Sequence, residues 1–225
     1  MSSVVAALPV LLRSWIAHEG RNTLTGRGRR RSDRAAGRFT RGDIDQLVRG
    51  AWAKGADQRA ALPEEPTLGS RQNVVLAALT LALLNQLTQS GVARDYAIEL
   101  TGDVCWRIYR RWGQAAGLLA HVVSRDPPRP LIFSVGTFLR YPINRLGYRY
   151  TDVAVADGRG LDMHRCPVTD YLGARGASDL CVGTWCNLDF ALAQQWDATP
   201  QRSGTLAAGS PSCDFRFHAT PGHRS

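Results

Sequence analysis

Cys186 and Asp189 are the pair of residues in this chain best equipped by type and spacing for nucleophilic chemistry. They stand in Gly183-Thr184-Trp185-Cys186-Asn187-Leu188-Asp189. A helix starting near Asn187 puts Cys186 at its N-terminus, where free amide groups and the helix dipole favour a thiolate. Asp189, three residues on, then lies one turn away on the same side. A thiolate is a nucleophile or a soft ligand, and a carboxyl beside it moves protons. Such a pair can attack a polarised carbon and protonate the leaving atom. The competing role is purely structural: Asp189 caps the helix and Cys186 packs as a small apolar side chain. Spacing alone does not separate the two.

Cys213 adds a second thiol, in Gly209-Ser210-Pro211-Ser212-Cys213-Asp214-Phe215. A turn running into a strand can deliver it to the same pocket. Cys105, beside Trp106 on an amphipathic stretch, and Cys181, in Asp179-Leu180-Cys181-Val182, are expected in the core. The total of five cysteines is odd, which argues against a disulfide framework and for a reducing, cytoplasmic setting. A zinc site wants close pairs. The nearest pair here is Cys181-x4-Cys186, with His164 two before Cys166 and His218 five after Cys213. That spacing leads us to expect no metal and no cofactor.

The elements that must position these groups change character along the chain. Ile44, Leu47, Val48, Ala51 and Trp52 have helical spacing after Thr40. Leu62 to Gly69 reads as a loop, and a long helix follows from Ser70. Arg94 to about Trp112 is another helix, which Gly113 to Val123 continues after a break. Arg125-Asp126-Pro127-Pro128-Arg129-Pro130 stops it. Beyond this point Leu131 to Tyr141, Tyr148 to Ala156 and Cys213 to Ala219 read as strands. Helices over Pro167 to Leu172 and Leu188 to Trp196 interrupt them. The expected class is α+β, a helical N-terminal half packed on a small antiparallel or mixed sheet.

Charge is concentrated at the start. Residues 1–60 hold 12 Lys/Arg against five Asp/Glu, most of the formal net charge of +9. The run Arg27, Arg29, Arg30, Arg31, Arg34, Arg38, Arg41 has Phe39 as its one aromatic, and no groove-reading motif follows. Specific nucleic-acid binding is therefore not expected. We read 1–40 as a basic, flexible N-terminal extension and 41–220 as a single domain. Met1 to Ile16 is apolar with its charge, Arg13, too late for a secretory leader. The apolar run from Val74 to Leu84 is broken by Thr80, so no membrane span is expected. The apolar stripes of the helical half leave room for a homodimer.

The C-terminal third carries a resemblance. Cys166-Pro167 through Tyr171-Leu172-Gly173, Cys186-x-x-Asp189, and Arg202-Ser203-Gly204-Thr205-Leu206-Ala207-x-Gly209-x-x-x-Cys213-Asp214-Phe215-Arg216-Phe217 together resemble the L-2-amino-thiazoline-4-carboxylic acid hydrolase family. Arg71-Gln72-Asn73-Val74 and Trp106-Arg107-Ile108-Tyr109 fit its helical half more loosely. The resemblance implies a hydrolase opening a small C=N-containing heterocycle, of thiazoline or cyclic-amidine type. It implies Cys186, Asp189 and Cys213 as catalytic groups, Arg202 as the partner of a substrate carboxylate, and Trp185 and Asn187 as substrate contacts. Two local echoes imply other functions. Trp185-Cys186-Asn187-Leu188-Asp189 resembles an element of organomercurial lyases, in which two cysteines and an acid cleave a carbon–mercury bond. The closing Gly-x-x-x-Cys-x-Phe is also similar to vinyl-reductase-type ligand-binding domains, which implies a non-catalytic small-molecule module.

Overall fold

In the computed structural model, which describes residues 14–25, 39–57, 61–123 and 128–220, helices come first and strands last. A helix over 14–24 (α1) precedes α2 (Arg41–Asp57), α3 (Leu68–Gln89), α4 (Arg94–Val123) and α5 (Arg129–Arg140). Strands β1 (Arg149–Val153) and β2 (Gly158–Arg165) follow. Then come the short helices α6 (Pro167–Gly173), α7 (Ser178–Gly183) and α8 (Leu188–Ala193), and the strands β3 (Ala198–Gln201) and β4 (Cys213–Ala219). The four strands form one antiparallel sheet in the order β1-β2-β4-β3. The fold is thus α+β, as expected.

Local chemistry sets the helix starts. Asp43 N donates to Thr40 Oγ1, while Thr40 N and Oγ1 both donate to Asp43 Oδ2, a reciprocal cap on α2. Thr67 and Ser70 cap α3 in the same way, so that helix begins inside the expected loop. Two expectations are corrected. Leu131 to Tyr141 is not a strand but most of α5. Its Val, Ile and Phe content suggested β structure, yet Leu131, Val135 and Phe138 fall on one helical face and are all buried. Pro130 sits in its first turn, where the missing N–H costs nothing. The second correction concerns α4, which runs through Gly113 without a break. Glycine there serves close approach. A Cβ at Gly117 would stand 2.5 Å from the Gln195 carbonyl oxygen, and Trp196 Nε1 donates to the Gly113 carbonyl at 3.2 Å.

Two apolar clusters result. One joins α2, α3 and the first half of α4 to α6 and α7, through Ile44, Leu84, Leu100, Tyr171 and Leu180 among others. The other joins the middle of α4, α5 and α8 to the sheet, through Tyr109, Phe138, Leu161, Leu192 and Phe217. Cys166 and Trp185 pack against both. The expected N-terminal extension is folded in over 14–24. Leu24 enters the first cluster, and the fully buried Glu19 receives Arg107 Nε at 2.8 Å and lies 3.0 Å from Arg111. Residues 1–13 and 26–38, with most of the basic run, lie outside the described residues. Among the described residues no helix is long and apolar enough to cross a membrane.

Candidate active site

The seam between the two clusters holds a cavity of about 130 Å³. Cys186 reaches it from a 3-10 turn, Trp185–Asn187, wedged between α7 and α8. Thr184 makes the turn. Its backbone leaves helical geometry (φ −122°, ψ −85°), its hydroxyl donates back to the Leu180 carbonyl at 2.6 Å, and its own carbonyl accepts from Asn187 N at 3.0 Å. The chain thereby stops one helix, exposes the thiol to the cavity and starts the next.

Three neighbours favour the thiolate of Cys186. Cys181 Sγ lies 3.9 Å from Cys186 Sγ, and its S–H donation is the largest effect. The Thr205 hydroxyl donates as well, and the Arg202 charge adds attraction. Burial and Asp189 oppose them, but the balance holds Cys186 below the ordinary thiol value. The other lining thiols keep their protons. Cys181 is raised by its hydrogen bond to Cys186 and by burial. Burial also raises Cys166, and it pushes Cys213 up to about 12. Cys186 is therefore the one lining cysteine whose surroundings favour the reactive form.

Asp189 sits in the first turn of α8 with its side chain 11% exposed. Burial raises its carboxyl to about 6, against the pull of Arg202. Oδ1 accepts from Arg202 at 3.0 Å, whereas Oδ2 is buried without a partner. A carboxyl near neutrality with one free oxygen is suited to proton transfer. Arg202 comes from the loop after β3. It also donates to the Cys186 carbonyl and, at 3.5 Å, to Asn187 Oδ1, and it lies over the rings of Phe190 and Phe215.

The loop from 203 to 212 is tied down by Asp214. Its carboxylate accepts from Ser203 N, Ser203 Oγ and Gly204 N, which hold it at about 2. Leu206 N donates to Cys213 Sγ at 3.2 Å. Thr205 caps the 3-10 turn Leu206–Ala208, which Gly209 ends at φ +90°. These contacts fix Arg202 and Thr205 relative to β4.

Cys186, Asp189, Cys213, Arg202 and Trp185 all line this one cavity. Asn187 is not among its lining residues; it accepts from Arg202 and donates to the Val182 carbonyl at 3.0 Å. Trp185 Nε1 donates to Thr80 Oγ1 at 3.2 Å, and its ring meets Tyr109 edge-on at 5.6 Å. Sequence reasoning missed Asn73, Tyr148, Cys166, Thr205 and the donor role of Cys181. The spacing Cys181-x4-Cys186 was the visible signal for the last. Among the described residues no group of three or more His, Cys, Asp or Glu is arranged to hold a metal ion.

The segment that builds this site runs from just before β1 to β4. Residues 144–217 match the family model of L-2-amino-thiazoline-4-carboxylic acid hydrolase. The match is to the family that the motifs resemble. It covers about a third of the chain and contains Cys166, Cys181, Cys186, Asp189, Arg202 and Cys213. The helices α1 to α5, of which α3, α4 and α5 bring Asn73, Tyr109 and Phe138 to the cavity, lie outside the matched segment. No curated protein and no solved structure gives a significant match.

Proposed function

We propose that the protein is a hydrolase that opens a small C=N-containing heterocycle of thiazoline or cyclic-amidine type, with Cys186 as nucleophile and Asp189 as acid and base. The observation that carries this reading is the shared cavity. A thiol favoured as thiolate and a carboxyl raised to about 6 with an unpartnered oxygen both face it. Cys186 Sγ adds to the ring carbon between the heteroatoms, and the C=N electron pair moves to nitrogen, which takes the Asp189 proton. Collapse of this adduct breaks the carbon–ring-sulfur bond and frees the substrate thiol. The Asp189 carboxylate then takes a proton from water as the water attacks the enzyme-bound carbon, and Cys186 leaves as thiolate. The net change is addition of one water. Arg202 supports the step as a positioning residue, since it grips both the Cys186 carbonyl and Asp189.

Ring opening of a thiazoline liberates a thiol, which a chromogenic disulfide reads directly. Thiol release by the wild-type protein, abolished in a folded Cys186→Ala variant, is the expected result. Full release by Cys186→Ala removes the nucleophile assignment. A second reading, a non-catalytic binding module, draws on the apolar character of most of the lining. It requires ligand binding with no thiol release and full retention of binding in Cys186→Ala.

A further inference from the structure

We infer that the substrate carries no carboxylate, and instead presents an apolar substituent ending in an N–H or O–H donor to Asn73. The inference rests on the ring-opening reading for the heterocycle, but its two supports are independent of the chemistry. The first is the charge inventory. Among the described residues that line the cavity, Arg202 is the one cation and Asp189 the one acid. The guanidinium already serves the Asp189 carboxylate, the Cys186 carbonyl and the Asn187 amide oxygen. A substrate carboxylate brought there would join the Cys186 thiolate, which also draws on Arg202, and set two anions against one cation in a buried site, and like charges so placed resist joint ionisation. The same added anion would drive Cys186 back towards the thiol.

The second support lies where α3 meets the start of β1. Asn73 is 3% exposed and lines the cavity. Its Nδ2 donates to Tyr148 Oη at 2.6 Å, and its Oδ1 is buried with no partner. A buried acceptor left unsatisfied is costly, and a ligand donor that reaches it recovers that cost. The surroundings are uncharged: Tyr148 and Tyr109 both have their hydroxyl pKa raised by burial. Much of the remaining wall is Phe138, Leu161, Met163, Leu192 and Phe217. The cavity therefore offers a reactive sulfur and acid, an apolar span, and one neutral acceptor. That is the complement of a heterocycle bearing an aryl or alkyl arm tipped by hydroxyl, amine or amide N–H.

Three ligands test this by calorimetric titration at pH 8 into the full-length Cys186→Ala protein, where turnover does not intrude. They are 2-aminothiazoline-4-carboxylate, 2-amino-4-phenylthiazoline, and its hydroxyphenyl analogue with the hydroxyl para or meta. The phenyl compound is expected to bind about tenfold more tightly than the carboxylate, and a hydroxyphenyl compound several-fold more tightly again. In the same protein carrying Asn73→Leu, the hydroxyl gain disappears while phenyl binding persists. Should that variant not fold, the ranking of the three ligands on the Cys186→Ala parent still decides. A carboxylate bound as tightly as the phenyl compound, a hydroxyl gain untouched by Asn73→Leu, or no binding by either aryl compound overturns the inference. Tight, Asn73-dependent binding of a compound that the wild-type protein never opens supports the inference and overturns the hydrolase reading, so the two fail separately.

Discussion

Removing the sulfur of Cys181 should raise the thiol pKa of Cys186 and slow its reaction with alkylating agents. The S–H of Cys181, 3.9 Å away, is the largest of the three influences that stabilise the Cys186 thiolate. A hydrogen bond to a charged group contributes about 1.5–3 kcal/mol. At about 1.4 kcal/mol per pKa unit, Cys181→Ala moves the Cys186 midpoint up by roughly 1–2 units. Below the midpoint the thiolate fraction falls tenfold per unit, but a more basic thiolate is more nucleophilic by about half that factor on a log scale. The net loss of alkylation rate at pH 6 is then about 3- to 15-fold. Iodoacetamide labelling followed by peptide mass spectrometry, run from pH 5 to 10, gives both the rate and the midpoint for Cys186. Cys181→Ser keeps a donor and should restore most of the reactivity. Cys105→Ala removes a thiol outside this cavity and should change nothing. A Cys186 midpoint that stays put or falls in Cys181→Ala refutes the donor role of Cys181.

Asp189→Asn should lower thiol release from a thiazoline by about 10²- to 10⁴-fold, the usual worth of a general acid. In the wild type, kcat/KM should stop rising near pH 6, where loss of the Asp189 proton offsets the gain in Cys186 thiolate, whereas in Asp189→Asn it should keep rising to the Cys186 midpoint. Arg202→Met leaves the Asp189 carboxylate buried without its cation, which costs about 3–5 kcal/mol in urea unfolding at pH 8. The sign of the pH effect follows from the raised folded-state pKa of Asp189. The fold disfavours the carboxylate, so the penalty is present above about 6 and is relieved as pH falls towards the unfolded value of 3.8; the variant should recover much of its loss by pH 5. Deleting residues 1–25 removes the buried Leu24 and the Glu19 carboxylate that meets Arg107 and Arg111, so the truncated protein should melt at a lower temperature by differential scanning calorimetry.

Much of the strand and helix pattern near the site was legible because it is local. β4 showed itself through Phe215 and Phe217 alternating with charged residues, and α6 through Cys166-Pro167 opening a short apolar turn. β2 did not, although it is central to the sheet. Gly158, Gly160 and the charges at 159, 162 and 165 hide the alternation of Leu161 and Met163. Gly158 is required by close packing, since a Cβ there would collide with the Phe217 carbonyl. α5 was misread because β-branched and aromatic content outweighed its helical spacing. At the site, Cys186 and Asp189 were readable from three-residue spacing, and Cys213 and Arg202 from a motif. Asn73 and Tyr148 were not, because they meet only when α3 packs against the chain entering β1, 75 positions away in sequence. No local pattern records that encounter.

Acid-quenching the protein during turnover of 2-aminothiazoline and weighing its peptides puts the central claim to its most direct test. The expected result is a covalent adduct of substrate mass on the peptide bearing Cys186, lost together with thiol release in Cys186→Ala. An adduct on Cys213 instead, or undiminished release from Cys186→Ala, contradicts it.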